Sequence, residues 1–325
     1  MATPQPAYRA PPWLPGSNLQ TLYPALLAPR PYVHYRRQRW DTPAGDFIDL
    51  DWTPVPERAS KAADRQPLLA LFHGLEGSSD SHYARALMHA TAQRGWQGVV
   101  VHFRGCSGEI NRLPRAYHSG DSAEIDWVLR RLRSEHDGPL HAVGVSLGGN
   151  ALLKWLGEQR CMAAGIVGRA AAVSAPVDLH AAADALERGF NMNYTRHFLA
   201  TMKRKSLAKL QRHPGLFDPA GLRAARTLRE FDDLVTGPLH GFRGVNDYYS
   251  RSSSKPWLSS IGVPTLLLNA RNDPFLPAAA LPEARDMAPA ISAVFPDGGG
   301  HVGFPGAGGR LDWLPRCLLE FLGGE

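Results

Sequence analysis

The sequence predicts an α/β fold, a mostly parallel eight-stranded sheet with helices on both faces and a helical lid insertion. Short apolar runs recur along the 325 residues, with helical patterns between them. This alternation is typical of a parallel sheet that is covered on both sides. The composition, 44% hydrophobic and 20% charged, is that of a globular chain. A chain of this length buries a large core without disulfides or metals.

Eight segments have the pattern of strands. In chain order they are YVHYRRQRW, FIDLDW, PLLALFHG, GVVVHFRG, LHAVGVS, GRAAAVSAP, TLLLNA and AVFPDG. The first two flank the turn DTPAGD, which predicts an antiparallel hairpin. The third is a continuous apolar run, as expected of a strand buried on both faces.

Helical patterns lie between and after the strands. Helices are predicted over SHYARALMHATAQRG, GDSAEIDWVLRRLRSE, LGGNALLKWLGEQ and LDWLPRCLLEFL. In the second of these, Ile125, Val128, Leu129 and Leu132 recur at spacings that place them on one apolar stripe.

The chain divides into a core and an insertion. Residues 179–258 contain no strand-like run but several helical patterns, so we expect a helical lid between the sixth and seventh strands. The predicted divisions are an extended, Pro-rich arm at 1–31, core at 32–178, the lid, and core again at 259–325.

Part of the net charge of +6 is concentrated in residues 196–213, which carry six basic side chains and no acidic one. Such a run is usually the solvated face of a helix. Weak peripheral contact with an anionic membrane surface is the alternative. No zinc-finger spacing, RNP-like aromatic motif or long basic stripe points to a nucleic-acid partner.

The cysteines and the first 30 residues indicate the cellular compartment in which the protein is expected. The spacings of Cys106, Cys161 and Cys317 contain no CxxC and suggest neither a disulfide framework nor a metal site. The first 30 residues lack the basic and apolar regions of a signal peptide, and no apolar run is long enough to span a bilayer. We therefore expect a cytoplasmic protein with no transmembrane segment.

The stretch GVSLGGN, residues 144–150, lies between a predicted strand and a predicted helix. Gly144, Ser146 and Gly148 form a G-x-S-x-G motif in the strand–turn–helix context of a nucleophile elbow. Glycines are needed there because side chains at the flanking positions would collide with neighbouring elements. The motif alone is weak, since a tight turn with an idle serine is the other interpretation. The context favours Ser146 as a nucleophile at a helix N-terminus.

A serine nucleophile needs a base, and the base needs an orienting acid. After such an elbow the three groups follow in the order serine, acid, histidine. Asp273 comes just past the strand TLLLNA, and His301 is the only one of 13 histidines that follows it. We therefore predict a triad of Ser146, His301 and Asp273. Asp178 is a rival for the acid, and its alternative role is to cap the following helix.

Acyl transfer also needs donors for the oxyanion. The expected donors are the backbone N–H groups of Leu147, which follows the nucleophile, and of Leu75, in the loop after the third strand. His73 is interpreted as structural. Cys106 lies in a loop expected to rim the pocket, but no base is paired with it, and it is interpreted as a buried small residue.

The predicted lid leaves the sheet after Asp178 and returns before the seventh strand. It therefore lies over the carboxyl ends of the strands, where Ser146 points. Its candidates to line an acyl pocket are Phe190, Met192, Tyr194, Phe198, Leu199 and Met202. The alternative is that these side chains only pack the insertion onto the body.

With these motifs in order, the chain resembles the α/β-hydrolase superfamily, and within it the YheT-like and ABHD1/2/3-like hydrolases of the AB-hydrolase-4 group. The resemblance rests on NLQTLYPAL, FHGLEGSSDSHY, FRGCSGEINRLPRAYHSGD, GVSLGGNALLKWLGE, AVSAPVDL, FDDLVTGPLHGF, DYYSRSSS, NARNDPF and HVGF, which span nearly the whole chain. It implies the α/β-hydrolase fold, a triad at Ser146, Asp273 and His301, carboxylic ester hydrolysis, and no metal or organic cofactor. Some animal relatives act on acylglycerol or phospholipid esters. Because no amino-terminal membrane anchor is evident, the resemblance favours the soluble bacterial-type relatives.

The sequence thus predicts a serine hydrolase that cleaves short- to medium-chain acyl esters or acylglycerol-like lipids through an acyl-enzyme. Thioesterase, amidase or acyltransferase chemistry would use the same triad, which cannot separate these reactions. A non-catalytic binding protein on the same fold is the alternative from another class, and a complete triad argues against it.

Overall fold

Eight strands form one sheet in the computed structural model, which describes residues 7–54 and 66–324. The strands are β1 (Arg36–Asp41), β2 (Phe47–Trp52), β3 (Leu68–Phe72), β4 (Gln97–Val101), β5 (Leu140–Val145), β6 (Arg169–Val173), β7 (Thr265–Leu268) and β8 (Ile291–Val294). Their order is β1-β2-β4-β3-β5-β6-β7-β8. Strand β2 is antiparallel to β1 and β4, and all other neighbours are parallel. The predicted fold class is confirmed.

Helices connect the strands and cover the sheet. They are α1 (Gly16–Leu26), α2 (His82–Gln93), α3 (Ser122–Glu135), α4 (Leu147–Gln159), α5 (Leu179–Leu186), α6 (Met192–Arg212), α7 (Pro219–Ala224), α8 (Leu228–Phe231), α9 (Gly237–Leu239), α10 (Val245–Ser252) and α11 (Trp313–Gly323). A π-helical turn, Asp232–Thr236, joins α8 to α9. Short 3₁₀ turns occur at Arg160–Gly165, Gly189–Asn191, Lys255–Ser260, Ala278–Ala280 and Ala284–Asp286.

The sheet has an apolar layer on each face, and β3 contributes to both. Leu68 and Phe72 point into one cluster with α3 and α4, while Leu69 and Leu71 point into the other with α2 and α11. Every residue of β3 is buried, as its continuous apolar run predicts. The alternation of side chains along a strand places consecutive residues in opposite layers.

Two local predictions differ from the structure. The arm at 1–31, expected to be extended, contains helix α1; its first six residues lie outside the described part of the chain. The helix forms because the prolines cluster before Gly16 and the next seven residues are free of them. Strand β8 begins two residues before the predicted AVFPDG segment, and it ends before Pro296, which cannot donate to the ladder.

The insertion between β6 and β7 is helical, with α5 to α10 as its main elements. Its helices enclose two small apolar clusters, one of which includes Phe275 from the loop after β7. The ring centroids of Tyr194 in α6 and Phe275 are 4.9 Å apart. The insertion thus packs on the loops at the carboxyl ends of the strands. Among the described residues, no helix combines the length and hydropathy needed to cross a bilayer.

Helix α4 approaches the Lys255–Ser260 turn so closely that Gly157 has no room for a side chain. A Cβ there would meet the Trp257 carbonyl oxygen and lie 2.6 Å from Trp257 Cβ. We expect Gly157→Ala to lower the free energy of unfolding by about 1–3 kcal/mol, because overpacking forces the backbone to shift. Urea unfolding measures the change.

Gly165→Ala is the matched control for Gly157→Ala. A Cβ at Gly165 has nothing within 4 Å. Its effect should therefore stay within about 1 kcal/mol and favour the folded state through chain entropy. Equal losses of stability in the two variants would contradict the close approach of α4 to the turn.

Candidate active site

Ser146 occupies a strained turn between β5 and α4. Its φ is +52° and its ψ is −120°, a combination that L-residues rarely adopt. The backbone N–H donates to the Val173 carbonyl oxygen of the neighbouring strand at 2.8 Å. This pairing holds the residue in the turn and leaves its side chain at the N-terminus of α4.

The glycines around Ser146 are required by close backbone contacts. A Cβ at Gly148 would lie 2.6 Å from the His73 carbonyl oxygen, and one at Gly144 would lie 2.7 Å from Gly149 Cα. Contacts below 3.0 Å with backbone atoms cannot be relieved by a side-chain rotation. The G-x-S-x-G spacing therefore reflects how tightly α4 crosses the ends of β3 and β5.

A chain of hydrogen bonds joins Ser146 to a buried carboxylate. His301 Nε2 is 2.9 Å from Ser146 Oγ, and His301 Nδ1 is 2.9 Å from Asp273 Oδ2. Asp273 is 4% exposed, and its Oδ1 accepts the Phe275 N–H at 2.8 Å. A proton on Nδ1 faces the carboxylate, which leaves Nε2 as the acceptor for the serine hydroxyl.

The structure separates the two candidate acids. Asp178 lies at the N-terminus of α5, where its carboxylate accepts the Ala181 N–H at 3.1 Å. This is the capping role that was its alternative. Asp273 contacts His301, whose ring also stacks on Phe275 with a centroid distance of 4.0 Å.

The loop that carries His301 is held by side chains from three distant segments. The N–H groups of Gly299, Gly300, His301 and Val302 donate in turn to Gln20 Oε1 (2.8 Å), Asn272 Oδ1 (3.0 Å), Thr21 Oγ1 (2.9 Å) and Ser174 Oγ (3.0 Å). Gly299, Gly300 and Val302 have positive φ, so this loop lies outside helix and strand geometry. Side chains must therefore supply the acceptors that a ladder or helix would provide.

Helix α1 supplies two of these four acceptors, a role that the sequence reasoning missed. Gln20 and Thr21 are 4% and 6% exposed, and a Cβ at Gly300 would lie 2.7 Å from Thr21 Oγ1. Gln20 Oε1 also accepts from Asn272 Nδ2 at 3.0 Å. The signal in the sequence is a pair of adjacent polar residues inside NLQTLYPAL. That pair is separated from His301 by about 280 positions.

The two expected oxyanion donors border the same pocket as Ser146 and His301. Leu147 is the first residue of α4, so its N–H has no acceptor within the helix. Leu75 follows Gly74, whose N–H donates to the Tyr83 hydroxyl at 2.8 Å. The role of these two N–H groups as oxyanion donors stays a prediction.

Glu76 fixes the loop that carries Leu75. Its φ is +55°, and its N–H donates to the Tyr117 hydroxyl at 2.9 Å. The Tyr117 hydroxyl in turn donates to Glu76 Oε1 at 2.8 Å, and Lys205 Nζ of α6 lies 2.9 Å from Glu76 Oε2. The loop is thus tied to both the core and the insertion.

His73 is structural, as interpreted from the sequence. Its ring is fully buried, its Nε2 accepts the Phe103 N–H at 3.0 Å, and Nδ1 donates to the Gly74 carbonyl at 2.7 Å. Burial lowers its pKa to about 3, so the ring stays neutral.

Cys106 is also buried, and burial raises the pKa of its thiol to about 12. A thiol in that state is a poor nucleophile.

A pocket of about 1250 Å³, including its open mouth, lies between Ser146 and the insertion. Its apolar wall includes Leu179, Leu186, Phe198, Met202, Leu228 and Phe231. Of the lid candidates, only Phe198 and Met202 line it.

The other four lid candidates lie elsewhere. Tyr194 and Leu199 are buried in the insertion's own cluster, Phe190 is 50% exposed and Met192 is partly exposed. The reason is helical periodicity, because residues 198, 202, 205, 206 and 209 share the face of α6 that meets the pocket.

The basic side chains of residues 196–213 are only partly exposed to solvent. The interpretation of the whole run as a solvated helix face is therefore wrong for several of them. Lys209 is 6% exposed, and its ammonium donates to Asn111 Oδ1 at 2.8 Å and to the Arg115 carbonyl at 2.7 Å. Arg212 donates to the Ile110 carbonyl at 3.0 Å. These side chains, with Lys205, tie α6 to the core. In residues 7–54 and 66–324, no three His, Cys, Asp or Glu side chains converge as a metal site.

Comparison with known proteins gives concordant matches. Residues 67–306 match the family model described as the alpha/beta hydrolase fold. The chain is 41% identical to the putative esterase YheT of Escherichia coli (strain K12), over 94% of this chain and 89% of that protein. It is 32% identical to the phospholipase ABHD3 of Mus musculus, over 90% and 72% of the two chains. The Pyrococcus furiosus esterase Pf2001 has a TM-score of 0.56 at 16% identity, covering 90% of this chain and 92% of that chain, a likeness of fold alone.

Thr21 offers a direct test of how the His301 loop is held. Thr21→Val keeps the volume but removes the acceptor for the His301 N–H, whereas Thr21→Ser keeps the acceptor. We expect Thr21→Val to lower kcat/KM about 5- to 30-fold, the equivalent of roughly 1–2 kcal/mol for an unpaired N–H. Because Thr21 does not line the pocket, kcat should fall more than KM rises in ester hydrolysis assays. Equal activity of the two variants would show that this hydrogen bond does not position His301.

Proposed function

The chain belongs to the α/β-hydrolase family, and from that premise we propose that it hydrolyses carboxylic esters through an acyl-enzyme formed on Ser146. It is an esterase- or lipase-type hydrolase. The proposal concerns the residues that carry the reaction and the acyl groups it accepts: short- to medium-chain esters or acylglycerol-like lipids. The names of the similar proteins, an esterase and a phospholipase, agree with this class of substrate.

In the first half of the proposed reaction, Ser146 Oγ attacks the ester carbonyl carbon. His301 Nε2 takes the hydroxyl proton, and the Asp273 carboxylate stabilises the imidazolium through Nδ1. The N–H groups of Leu147 and Leu75 donate to the oxyanion of the tetrahedral intermediate. As the intermediate collapses, the carbon–alkoxide bond breaks and His301 returns the proton to the leaving alcohol.

In the second half, water resolves the acyl-enzyme. His301 takes a proton from water, whose oxygen attacks the acyl carbon, and the second intermediate collapses to the carboxylic acid and the Ser146 hydroxyl. As this second intermediate collapses, His301 returns the proton taken from water to Ser146 Oγ. Each half of the reaction thus ends with a neutral histidine, and Ser146 and His301 are the only protein groups that gain or lose a proton.

One observation carries the proposal: the unbroken hydrogen-bond chain from the buried Asp273 through His301 to Ser146, whose side chain borders the large pocket. A serine hydroxyl is by itself a weak nucleophile, and such a chain of hydrogen bonds activates it. A non-catalytic binding protein would have no use for a strained serine beside a buried histidine–carboxylate pair. The geometry therefore favours catalysis.

The insertion is proposed to act as a lid that selects the acyl group. Phe198 and Met202 of α6 line the same pocket as Ser146, in the part of its wall that the insertion forms. An acyl chain that extends from the carbonyl would contact them and gain burial with each methylene.

The cytoplasm remains our proposed location, since no disulfide joins the cysteines in the described part of the chain.

Ser146→Ala should abolish ester hydrolysis and leave the fold intact. The loss of a triad nucleophile costs about 10⁴- to 10⁶-fold in kcat. A fluorophosphonate probe should label the wild-type protein and fail to label the variant, with circular dichroism as the check on folding. Retained turnover and labelling in the variant would mean that another residue is the nucleophile.

Asp273→Asn should be far more damaging than Asp178→Asn. The amide presents the wrong partner to His301 Nδ1 and disturbs its tautomer, at roughly 10⁴-fold in kcat. At Asp178 the same substitution should leave kcat/KM nearly unchanged, because asparagine caps a helix about as well as aspartate. The opposite ranking of kcat/KM in the two variants would assign the acid to Asp178.

A series of p-nitrophenyl esters tests the lid. Two added methylenes should raise kcat/KM about tenfold while the pocket accepts the chain. Phe198→Ala and Met202→Ala should shift the preferred acyl length, whereas Phe190→Ala, on the exposed side of the insertion, should not. A flat profile that none of these variants alters would show that the insertion does not recognise the acyl chain. Thioester and amide analogues in the same series separate the alternative chemistries.

A further inference from the structure

Helix α1 buries two polar side chains and exposes two leucines. Gln20, Thr21 and Pro24 are its buried residues. Leu19 and Leu26 are 48% and 70% exposed. They are seven positions apart and so lie on one side of the helix. This is the reverse of the pattern that a surface helix of a globular protein shows.

Further exposed apolar side chains adjoin that side of α1. Leu27, which follows the helix, is 75% exposed, and Trp13 is 51% exposed with its ring 5.0 Å from that of Tyr23. Phe190 of the insertion is 50% exposed and contacts the ring of Tyr194. We call Trp13, Leu19, Leu26, Leu27 and Phe190 the α1 face. Its members account for most of the large apolar side chains that are exposed in the described residues. Clusters of this kind mark interaction sites.

The α1 face lies beside the candidate active site. The Tyr194 hydroxyl donates to Asn18 Oδ1 of α1 at 2.9 Å, and Leu22 packs against the insertion's apolar cluster. On its other side the helix holds the His301 loop through Thr21. Whatever binds the α1 face is therefore brought next to the pocket where Phe275 and His301 meet.

The charge around this face is positive. Arg9 and Arg30 are exposed on the arm, and Arg188 and Arg196 are exposed on either side of Phe190 in the chain. Asp80, whose carbonyl contacts Arg30, is neutralised by an ion pair with Arg85 at 2.7 Å.

Apolar side chains with a basic margin fit an anionic lipid surface. Leucine and tryptophan enter the boundary between headgroups and acyl chains, and arginines bind the phosphates above it. A second copy of the chain fits less well, because a two-fold contact through this face would bring like charges together.

We propose that the α1 face docks onto the surface of an anionic membrane or lipid aggregate and presents the pocket to ester lipids held there. The assignment of the substrate rests on the function proposed above, whereas the docking does not. The exposed side of the helix binds the lipid, and its buried side holds the His301 loop.

Binding to vesicles of diether lipids tests the docking without any hydrolysis. The probes are phosphatidylcholine vesicles with and without phosphatidylglycerol, sedimented with the full chain. We expect binding to the anionic vesicles, and a loss of about tenfold or more in the Leu26→Asp/Leu27→Asp double variant. Met162→Asp is the matched control, because Met162 is 71% exposed in the Arg160–Gly165 turn, just before the amino end of β6.

Several results would overturn the proposal. They are absence of binding to anionic vesicles, equal loss of binding in Met162→Asp, and a dimer in sedimentation equilibrium that the double variant dissolves. Hydrolysis of a short, soluble p-nitrophenyl ester should be unchanged in the double variant, which shows that its site is intact. Ser146→Ala should bind vesicles as the wild type does. A wild type that binds vesicles and cleaves no ester would contradict only the proposed function.

Discussion

The backbone of Ser146, held at a φ of +52°, is the constraint on which the rest of the site depends. A residue in this conformation costs of order 1–3 kcal/mol and persists only where its surroundings impose it. Here the Val173 carbonyl holds its N–H, and α4 crosses the ends of β3 and β5 with no space for a Cβ at Gly144 or Gly148. The result is a hydroxyl at a helix N-terminus, beside an N–H that the helix leaves unpaired. The packing of α4 against the sheet thus offsets the strain in the backbone of the proposed nucleophile.

His301, which is hydrogen-bonded to Ser146, is positioned by a second set of contacts. These are needed because it lies in a loop that contains glycines and residues with positive φ. Such a loop is flexible by composition. Four consecutive N–H groups find side-chain acceptors on α1, on the loop after β7 and at the end of β6. Asp273, the proposed acid, is buried in the same loop after β7, so the proposed base and its orienting group share a support. Helix α1 is therefore part of the site even though none of its side chains lines the pocket.

The insertion is joined to the core by buried polar contacts as well as by apolar packing. Lys205 pairs with Glu76 beside the expected oxyanion donor Leu75, and Lys209 satisfies acceptors of the loop that follows β4. Burial lowers the pKa of Lys209 to about 8. Ammonium groups so buried must be paired, which limits how far α6 can move from the core without exposing both partners. These contacts hold the helix that carries Phe198 and Met202 against the core.

Sequence patterns by themselves determined the strand and helix order, the elbow, and the order of Ser146, Asp273 and His301. They did so because a period of two or 3.6 residues and a G-x-S-x-G turn are local properties of the chain. Tertiary structure alone decided that Asp273 and not Asp178 meets His301, that Lys209 turns inward, and that Phe198 and Met202 but not Tyr194 or Leu199 reach the pocket. It also decided that α1 turns Gln20 and Thr21 inward and Leu26 outward, against the usual preference of a surface helix. Each of these outcomes depends on contacts between segments tens to hundreds of residues apart, for which hydrophobic periodicity carries no signal.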